Sequence, residues 1–319
     1  MIEELVLENF RGFRSLELKG LKPVNLIVGH NNTGKTSLLE GILLSCQAGE
    51  VAGLPGMFRP VQGRDDLRYF PWLIRDRAPN GTATLKCKDG VVEKSFALTD
   101  QTQPPPAGFS VPAVRIGPLL LWWGGSHRRD AIGRVVSVQN RLPQDLVSLI
   151  GKVYRKRDGE EIFQKLLAKI DPRIKKVRID PGVDKNNDGI QIVVDIGLSE
   201  LLPLAQVGQG VYRLATILAD IIGEKTDVLL IDEIENGLHH SVQKQIWTGL
   251  AEMAKELKVQ IFATTHSGEC LHAAHKAFLE REPYDLGVIQ LFRTEDGVQG
   301  RLLDKEHIEA AIEADIELR

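Results

Sequence analysis

Val24 to Val28 is an apolar run broken only by Asn25, Gly29-His-Asn-Asn-Thr-Gly34-Lys35-Thr36 follows it directly, and Leu38, Leu39, Ile42 and Leu43 then recur at helical spacing up to Cys46. A buried strand, a glycine-bounded loop and a helix in direct succession leave few folds open. The glycines let the backbone curl so that successive N–H groups face inward at the positive end of the helix, a cradle for a polyphosphate. In that geometry Lys35 reaches the outer phosphates and the Thr36 hydroxyl ligates magnesium. The candidate cofactor-binding residues of the loop are Gly29, Asn31, Asn32, Thr33, Gly34, Lys35, Thr36 and Ser37.

The rest of the chain alternates in a way that accommodates this unit. Residues 4 to 9 and 14 to 18 alternate apolar and polar around Arg11-Gly12, as two strands do. From 50 to 125 prolines, glycines and short alternating stretches predominate, with Asp89-Gly90 a hairpin signal, so a β-rich lobe is expected there. Helical periodicity from Ala131 to Ile170, interrupted at Pro143 and Asp158-Gly159, predicts a helical insert spanning 126 to 175. Thereafter strands at 176–179, 190–196, 228–231, 259–264 and 286–292 alternate with helices at 211–222, 241–257 and beyond Gly268, the order of a mostly parallel sheet. The two α/β stretches are expected to complete one sheet, making 1–319 a single unit.

Val228 to Ile231 ends in Asp232-Glu233, so two carboxylates emerge at the C-terminal edge of a sheet, where open α/β folds bind ligands. Asp232 there suits magnesium, and Glu233 suits a general base that orients and deprotonates a water. A pair capping the next helix is the alternative reading. One strand later Ile261-Phe-Ala-Thr-Thr-His266-Ser267 places a histidine at a strand end, within reach of a terminal phosphate. Gly208, Gln209 and Gly210 open a further helix with glycine-rich character. Lys35, Glu233 and His266 are thus the candidate catalytic residues, and Thr36 and Asp232 the candidate metal ligands.

These motifs, in this order, resemble the head of an ABC-type ATPase, a P-loop NTPase. Leu7-Glu-Asn-Phe-Arg-Gly-Phe13, Asn31-Asn32 and Thr36-Ser-Leu-Leu-Glu40 resemble the RecF, SMC and overcoming-lysogenization-defect (OLD) branch rather than transporter subunits. Asp232-Glu-Ile-Glu-Asn-Gly-Leu-His239 and Ala263-Thr-Thr-His-Ser267 are similar to the OLD-like ATPases in particular. The likeness covers about residues 1 to 48 and 190 to 295. It implies an α/β fold with a mixed sheet, a β-rich N-terminal lobe and a helical insert. It implies ATP and Mg2+ as cofactors, and a homodimer or higher oligomer of ATP-bound heads in which Gly208 to Gly210 of one subunit close on the nucleotide of the other. Carried over by position, Lys35 and Thr36 take phosphate and magnesium, Asp232 the metal, Glu233 the base and His266 the terminal phosphate.

The chain departs from that pattern in places. Val207-Gly-Gln-Gly lacks the usual serine of the signature, Gln62 is the one candidate for a metal-sensing glutamine, and Glu235 to His239 diverge from the usual D-loop. OLD nucleases continue into a Toprim domain with an Asp-x-Asp pair. The 53 residues given after His266 hold no such pair, so any nuclease activity in this system is expected on a separate effector chain. The resemblance therefore implies an ATPase regulating a DNA-acting or defence effector. A nucleotide-sensing scaffold with marginal hydrolysis and a RecF-like DNA-repair ATPase are the alternatives. A GTPase is disfavoured because the chain has no Asn-Lys-x-Asp motif.

Charge and cysteines bound the remaining options. The net charge of −3 exerts no global pull on nucleic acid, but residues 126 to 180 carry fourteen Lys or Arg against seven Asp or Glu. That local excess suits either a DNA-facing lobe or a solvated helical face. Trp122-Trp123, after three leucines, read as core rather than as a base-stacking platform. Three scattered cysteines give neither a disulfide framework nor a thiolate zinc site, and Cys270, His272 and His275 lack a fourth ligand nearby. No apolar run approaches a bilayer span and the N-terminus is acidic, so the expected location is the cytoplasm with no membrane partner.

Overall fold

The computed structural model describes residues 1–46, 72–77, 81–90, 92–100, 103–116, 119–124, 134–138, 143–181, 190–236 and 238–313. Strands β1 (Glu4–Phe10) and β2 (Phe13–Lys19) form a hairpin that continues into β4 (Ala83–Asp89), β5 (Val92–Asp100), β6 (Phe109–Ile116) and β7 (Leu119–Gly124). They make one antiparallel sheet in the order β2-β1-β4-β5-β7-β6. Of the residues 50–125 expected to form a β-rich lobe, 50–71 lie outside the described residues, and β4 to β7 share their sheet with the first two strands. Trp122 is buried in it, its Nε1 donating to Thr99 Oγ1 at 2.8 Å.

A second six-stranded sheet combines β3 (Val24–Val28), β8 (Arg134–Val138), β12 (Thr226–Ile231), β13 (Gln260–Thr264), β14 (Leu286–Thr294) and β15 (Gly297–Leu303). Its order is β15-β14-β3-β13-β12-β8. Only β14 and β15 are antiparallel; β14, β3, β13, β12 and β8 run parallel. The N-terminal strand β3 thus lies between two strands from the last third of the chain, so the two α/β stretches do complete one sheet. A small third sheet holds β9 (Lys176–Asp180), β10 (Gln191–Asp195) and β11 (Leu202–Pro203).

Strand β8 departs from the expected insert. Arg134-Val-Val-Ser-Val138 falls inside the stretch read as helical, yet it pairs with β12 at the sheet edge. A short apolar run fits either period, and its β-branched residues favour the strand. The helical part of the insert begins later, as α2 (Pro143–Tyr154) and α3 (Gly159–Ile170). Gln62 and Arg128-Arg129 lie outside the described residues.

Burial follows from being covered on both faces. One face of the central sheet, with Leu26, Leu229, Ile231, Ile261 and Val288, packs under α2, α3, α4 (Gln209–Glu224), α5 (His240–Leu257), α6 (Gly268–Leu279) and α7 (Lys305–Glu313). The other, with Ile27, Val228, Leu230, Phe262 and Ile289, packs on helix α1 (Lys35–Cys46) and the antiparallel sheet. Strands buried on both faces are mostly apolar, which is why β3, β12 and β13 carry the runs Leu26–Val28, Val228–Ile231 and Ile261–Ala263. Helix α1 is enclosed on all sides, every residue but Thr36 being buried. At Gly41 a side chain would meet Leu7 at 2.8 Å, so glycine permits the close approach of α1 to β1.

Enclosure makes Glu40 of α1 the costliest residue on that helix unless it is paired. Its carboxylate, fully buried, receives Arg11 Nε at 2.8 Å and Arg11 Nη2 at 3.1 Å. This bidentate pair ties the β1–β2 turn to the helix that begins at the phosphate loop. Breaking it leaves a buried charge. Glu40→Ala should lower unfolding free energy by about 3–5 kcal/mol in urea titrations, while Arg11→Met combined with Glu40→Leu should recover most of the loss.

Candidate functional site

The parallel sheet brings the ends of β3, β12 and β13 to one edge, so the loop after β3 meets the residues after β12 and β13. At Gly29 (φ 150°) an added Cβ would sit 2.5 Å from Leu291 O and 2.7 Å from Thr33 Oγ1, so only glycine lets the loop leave β3 at this angle. Thr33 Oγ1 donates to His30 O at 2.8 Å, and Arg293 Nη2 on β14 donates to Asn32 O at 2.9 Å. Lys35 Nζ donates to Gly29 O at 2.6 Å and His30 O at 2.9 Å. Three carbonyls of the loop are thereby satisfied from behind. The N–H groups of the first turn of α1, which have no intrahelical acceptor, are presented at the helix N-terminus.

The acidic strand end closes on this loop. Thr36 Oγ1 donates to Asp232 Oδ2 at 3.1 Å. Buried Thr264, at the end of β13, donates its hydroxyl to Asp232 Oδ1 at 2.5 Å and accepts the Glu233 N–H at 2.8 Å. One side chain therefore orients both members of the acidic doublet. Glu233 has φ 50°, a left-handed conformation uncommon outside glycine, which turns its side chain away from the strand direction. Asn236 Nδ2 donates to Glu233 Oε2, and His266 Nε2 lies 3.6 Å from Glu233 Oε1. The His266 and Glu233 side chains are 39 % and 45 % exposed, open enough to meet a ligand.

Burial sets the charge states. Removal from water pushes the Lys35 ammonium below the ordinary lysine value, against the pull of Asp232, Glu235 and Glu233. Burial likewise pushes the Asp232 carboxyl above the ordinary carboxylate value, opposed by its bonds from Thr264 and Thr36, with the Glu233 charge adding to the rise. A polyanion beside Lys35 and a cation beside Asp232 would offset both effects. Thr36 Oγ1 and Asp232 offer two hard oxygen donors, the number a protein commonly gives magnesium alongside phosphates and waters. No group of three or more His, Cys, Asp or Glu residues able to hold a metal occurs among the described residues. His275 instead bonds Tyr284 Oη through Nδ1 at 2.8 Å, and Cys270 is a buried thiol pushed up to about 11.

Loop, Asp232, Glu233 and His266 are thus assembled in one chain, whereas Gly208, Gln209 and Gly210 stand apart at the start of α4. Among the described residues no hydrogen bond joins those three to the loop. Arg213, one turn further along α4, is the nearest link: its Nη1 donates to Asn236 O. Thr264 and Arg293 take no role from the sequence, and Glu235 and Asn236 stand there only as part of the divergent Glu235-to-His239 stretch. Thr264 stands in the quoted Ala263-to-Ser267 motif; Arg293 carries no local signal, since its partner is 261 residues away.

The chain is similar to several known proteins. A family model described as "AAA domain" matches residues 4–102, and one described as "AAA domain, putative AbiEii toxin, Type IV TA system" matches 138–269. A Helicobacter pylori protein named ATP/GTP phosphatase is 21% identical over 343 residues, covering 88% of this chain and 90% of that one. The DNA replication and repair protein RecF of Actinobacillus pleuropneumoniae is 51% identical over 41 residues, 13% of this chain and 11% of RecF. The SMC head domain from Thermotoga maritima superposes with a TM-score of 0.53 at 15% identity, covering 95% of this chain and 99% of that one. Two AAA-domain models thus match parts of this chain, which has the α/β fold of an ABC-type ATPase head as seen in the SMC head.

Proposed function

We propose that this chain binds ATP with Mg2+ at the Gly29–Thr36 loop, hydrolyses it, and dimerises through ATP-bound heads to regulate a DNA-acting or defence effector carried by a separate chain. The observation behind the reading is the Thr36–Asp232 bond, 3.1 Å long between residues 196 apart, which joins the helix that would take phosphates to the carboxylate that would take the metal. When bound, the magnesium ion would neutralise charge on the phosphate oxygens. Lys35 would turn from its two loop carbonyls to the outer phosphates. Glu233 would orient the attacking water and accept its proton, and His266 would donate to the terminal phosphate. The name of the Helicobacter pylori relative supports triphosphate hydrolysis.

Other parts of the chain support the wider reading. Gly208, Gln209 and Gly210 lie away from this chain's own loop, as a segment acting on a partner's nucleotide would. Arg155, Arg157, Lys165, Lys175, Lys176 and Arg178 are exposed on α3, β9 and the segments on either side of α3, which suits contact with a nucleic-acid backbone. Among the described residues no helix is long and apolar enough to cross a membrane. We place the protein in the cytoplasm, and nuclease chemistry, a Toprim-like activity included, on the effector.

Two experiments follow. Glu233→Gln should cut ATP turnover by about 100-fold or more while leaving ATP binding intact, so that sedimentation with ATP shows accumulated dimer and ADP does not. An unchanged rate with assembly still under nucleotide control selects the scaffold reading. The second concerns the burden that Asp232 places on the empty head. A carboxylate whose folded pKa is raised loses stability as pH climbs from the unfolded value through the raised one. Asp232→Asn should therefore melt a few degrees higher than the parent without nucleotide, by a margin larger at about pH 7 than at about pH 4, while losing Mg2+-dependent nucleotide binding. An equal or lower melting temperature at neutral pH would count against it.

A further inference from the structure

His266 stands in a gap. Strand β13 ends at Thr264, Thr265 N–H still donates to Ile27 O at 3.1 Å, and α6 begins at Gly268 behind its Ser267 cap. The peptide of His266 is the first beyond the sheet's hydrogen bonds, and its N–H donates to Glu235 Oε1 at 2.6 Å. The turn carrying Glu235 is itself fixed to the end of β13. Glu233 N–H goes to Thr264 Oγ1 at 2.8 Å, Ile234 N–H to Thr264 O at 3.0 Å, and Asn236 N–H back to Glu233 O at 2.9 Å. Among the described residues, the Glu235 bond is the one hydrogen bond from this turn to the backbone of His266, whose ring lies 3.6 Å from Glu233 Oε1.

The other carboxylate oxygen of Glu235 is buried with no hydrogen-bond partner among the described residues. The half-buried guanidinium of Arg213 interacts favourably with the Glu235 charge. Leaving a carboxylate oxygen unsatisfied in the interior is unfavourable, so the position of Glu235 is not one a merely solvated acid would take. We infer that Glu235 is the positioning residue for His266: by accepting its backbone N–H, Glu235 holds that peptide so that the imidazole stands beside Glu233. A free peptide would let the ring swing away from the 3.6 Å approach. The role required of Glu235 is that of an acceptor at fixed reach.

This inference rests on the proposed hydrolysis for its kinetic part only. Misplacing a catalytic group by about 1 Å lowers rates by about 100-fold, so Glu235→Ala should cut saturated ATP turnover at least 10-fold with KM changed by less than about 3-fold. Glu235→Gln keeps an acceptor oxygen and should recover most of that loss. Because Glu235 acts through His266, Glu235→Ala introduced into His266→Ala should add less than about 2-fold. The structural part needs no turnover. In nucleotide-free protein labelled at histidine, Glu235→Ala should move the His266 ring resonances and Glu235→Gln should leave them close to the parent. Equal impairment by Ala and Gln, multiplying losses on the His266→Ala background, or unmoved His266 resonances in Glu235→Ala would each overturn the assignment. A parent protein that does not hydrolyse ATP would defeat the proposed function, and the resonance measurement would still decide the role of Glu235.

Discussion

The insertion of β3 between β13 and β14 is the constraint on which the rest depends. Ile261 and Leu286, in two strands from the last third of the chain, both register against Val24. Because all three strands run parallel, they end at the same edge, and whatever follows them meets there. The phosphate loop follows β3, Thr265 and His266 follow β13, and Asp232-Glu233 follow β12 one strand further on. Parallel pairing is thus what converts motifs separated by 196 residues into a hydroxyl–carboxylate contact. The polar pair Asn25 and Gln260 anchors this placement from the other end of the strands. Gln260 exchanges both of its side-chain groups with the backbone of Ile2 at 2.8 Å. A buried amide with fixed partners resists a one-residue slip that an apolar strand would tolerate.

Around that edge the chain concentrates charge on partly buried side chains. Lys35, Asp232, Glu233 and Glu235 lie close enough to act on one another, and the balance of burial and attraction leaves Lys35 less basic and Asp232 less acidic than usual. An isolated head therefore holds its charges at some expense, offset by hydroxyls and carbonyls rather than by ion pairs. Lys35 rests on two carbonyls, Asp232 on two hydroxyls. Neutral partners of this kind can be exchanged for a ligand at lower cost than a buried salt bridge could be broken. The Arg11–Glu40 pair, by contrast, is the sort of contact that does not let go, and it lies on the side of α1 facing the β1–β2 turn.

Much of this was written in local sequence. The runs at Leu26, Val228 and Ile261 are apolar because both faces are covered, and the loop between β3 and α1 has a spacing its backbone geometry demands. Other parts had no such signature or carried an ambiguous one. Arg134-Val-Val-Ser-Val138 fits two periods, and its partner β12 lies about ninety residues on in sequence. Strand β15 reads Gly297-Val-Gln-Gly-Arg-Leu-Leu303, where glycines blur the alternation, and only Asp296-Gly297 hints at its hairpin. Thr264 was visible as part of a motif, but its two hydrogen bonds to the acidic doublet depend on the pairing of β12 with β13. Side chains that work through such long-range partners are hidden from any local pattern.

The same separation of local and distant information bears on how the site is divided. Everything that would handle the phosphates and the water is built in one chain from the ends of adjacent strands. Gly208 to Gly210 are placed by a different surface, the packing of α4 on α2, α3 and α5, and among the described residues α4 is linked to that site by the bond from Arg213 to the carbonyl of Asn236. Asn236 in turn bonds the carboxylate of Glu233. A displacement of α4 would therefore be felt at Glu233 before it reached the phosphate loop, since Asn236 lies on the same four-residue turn as Glu233. A head arranged in this way can keep a nucleotide seated by its loop while the geometry of the acidic turn responds to what contacts the start of α4.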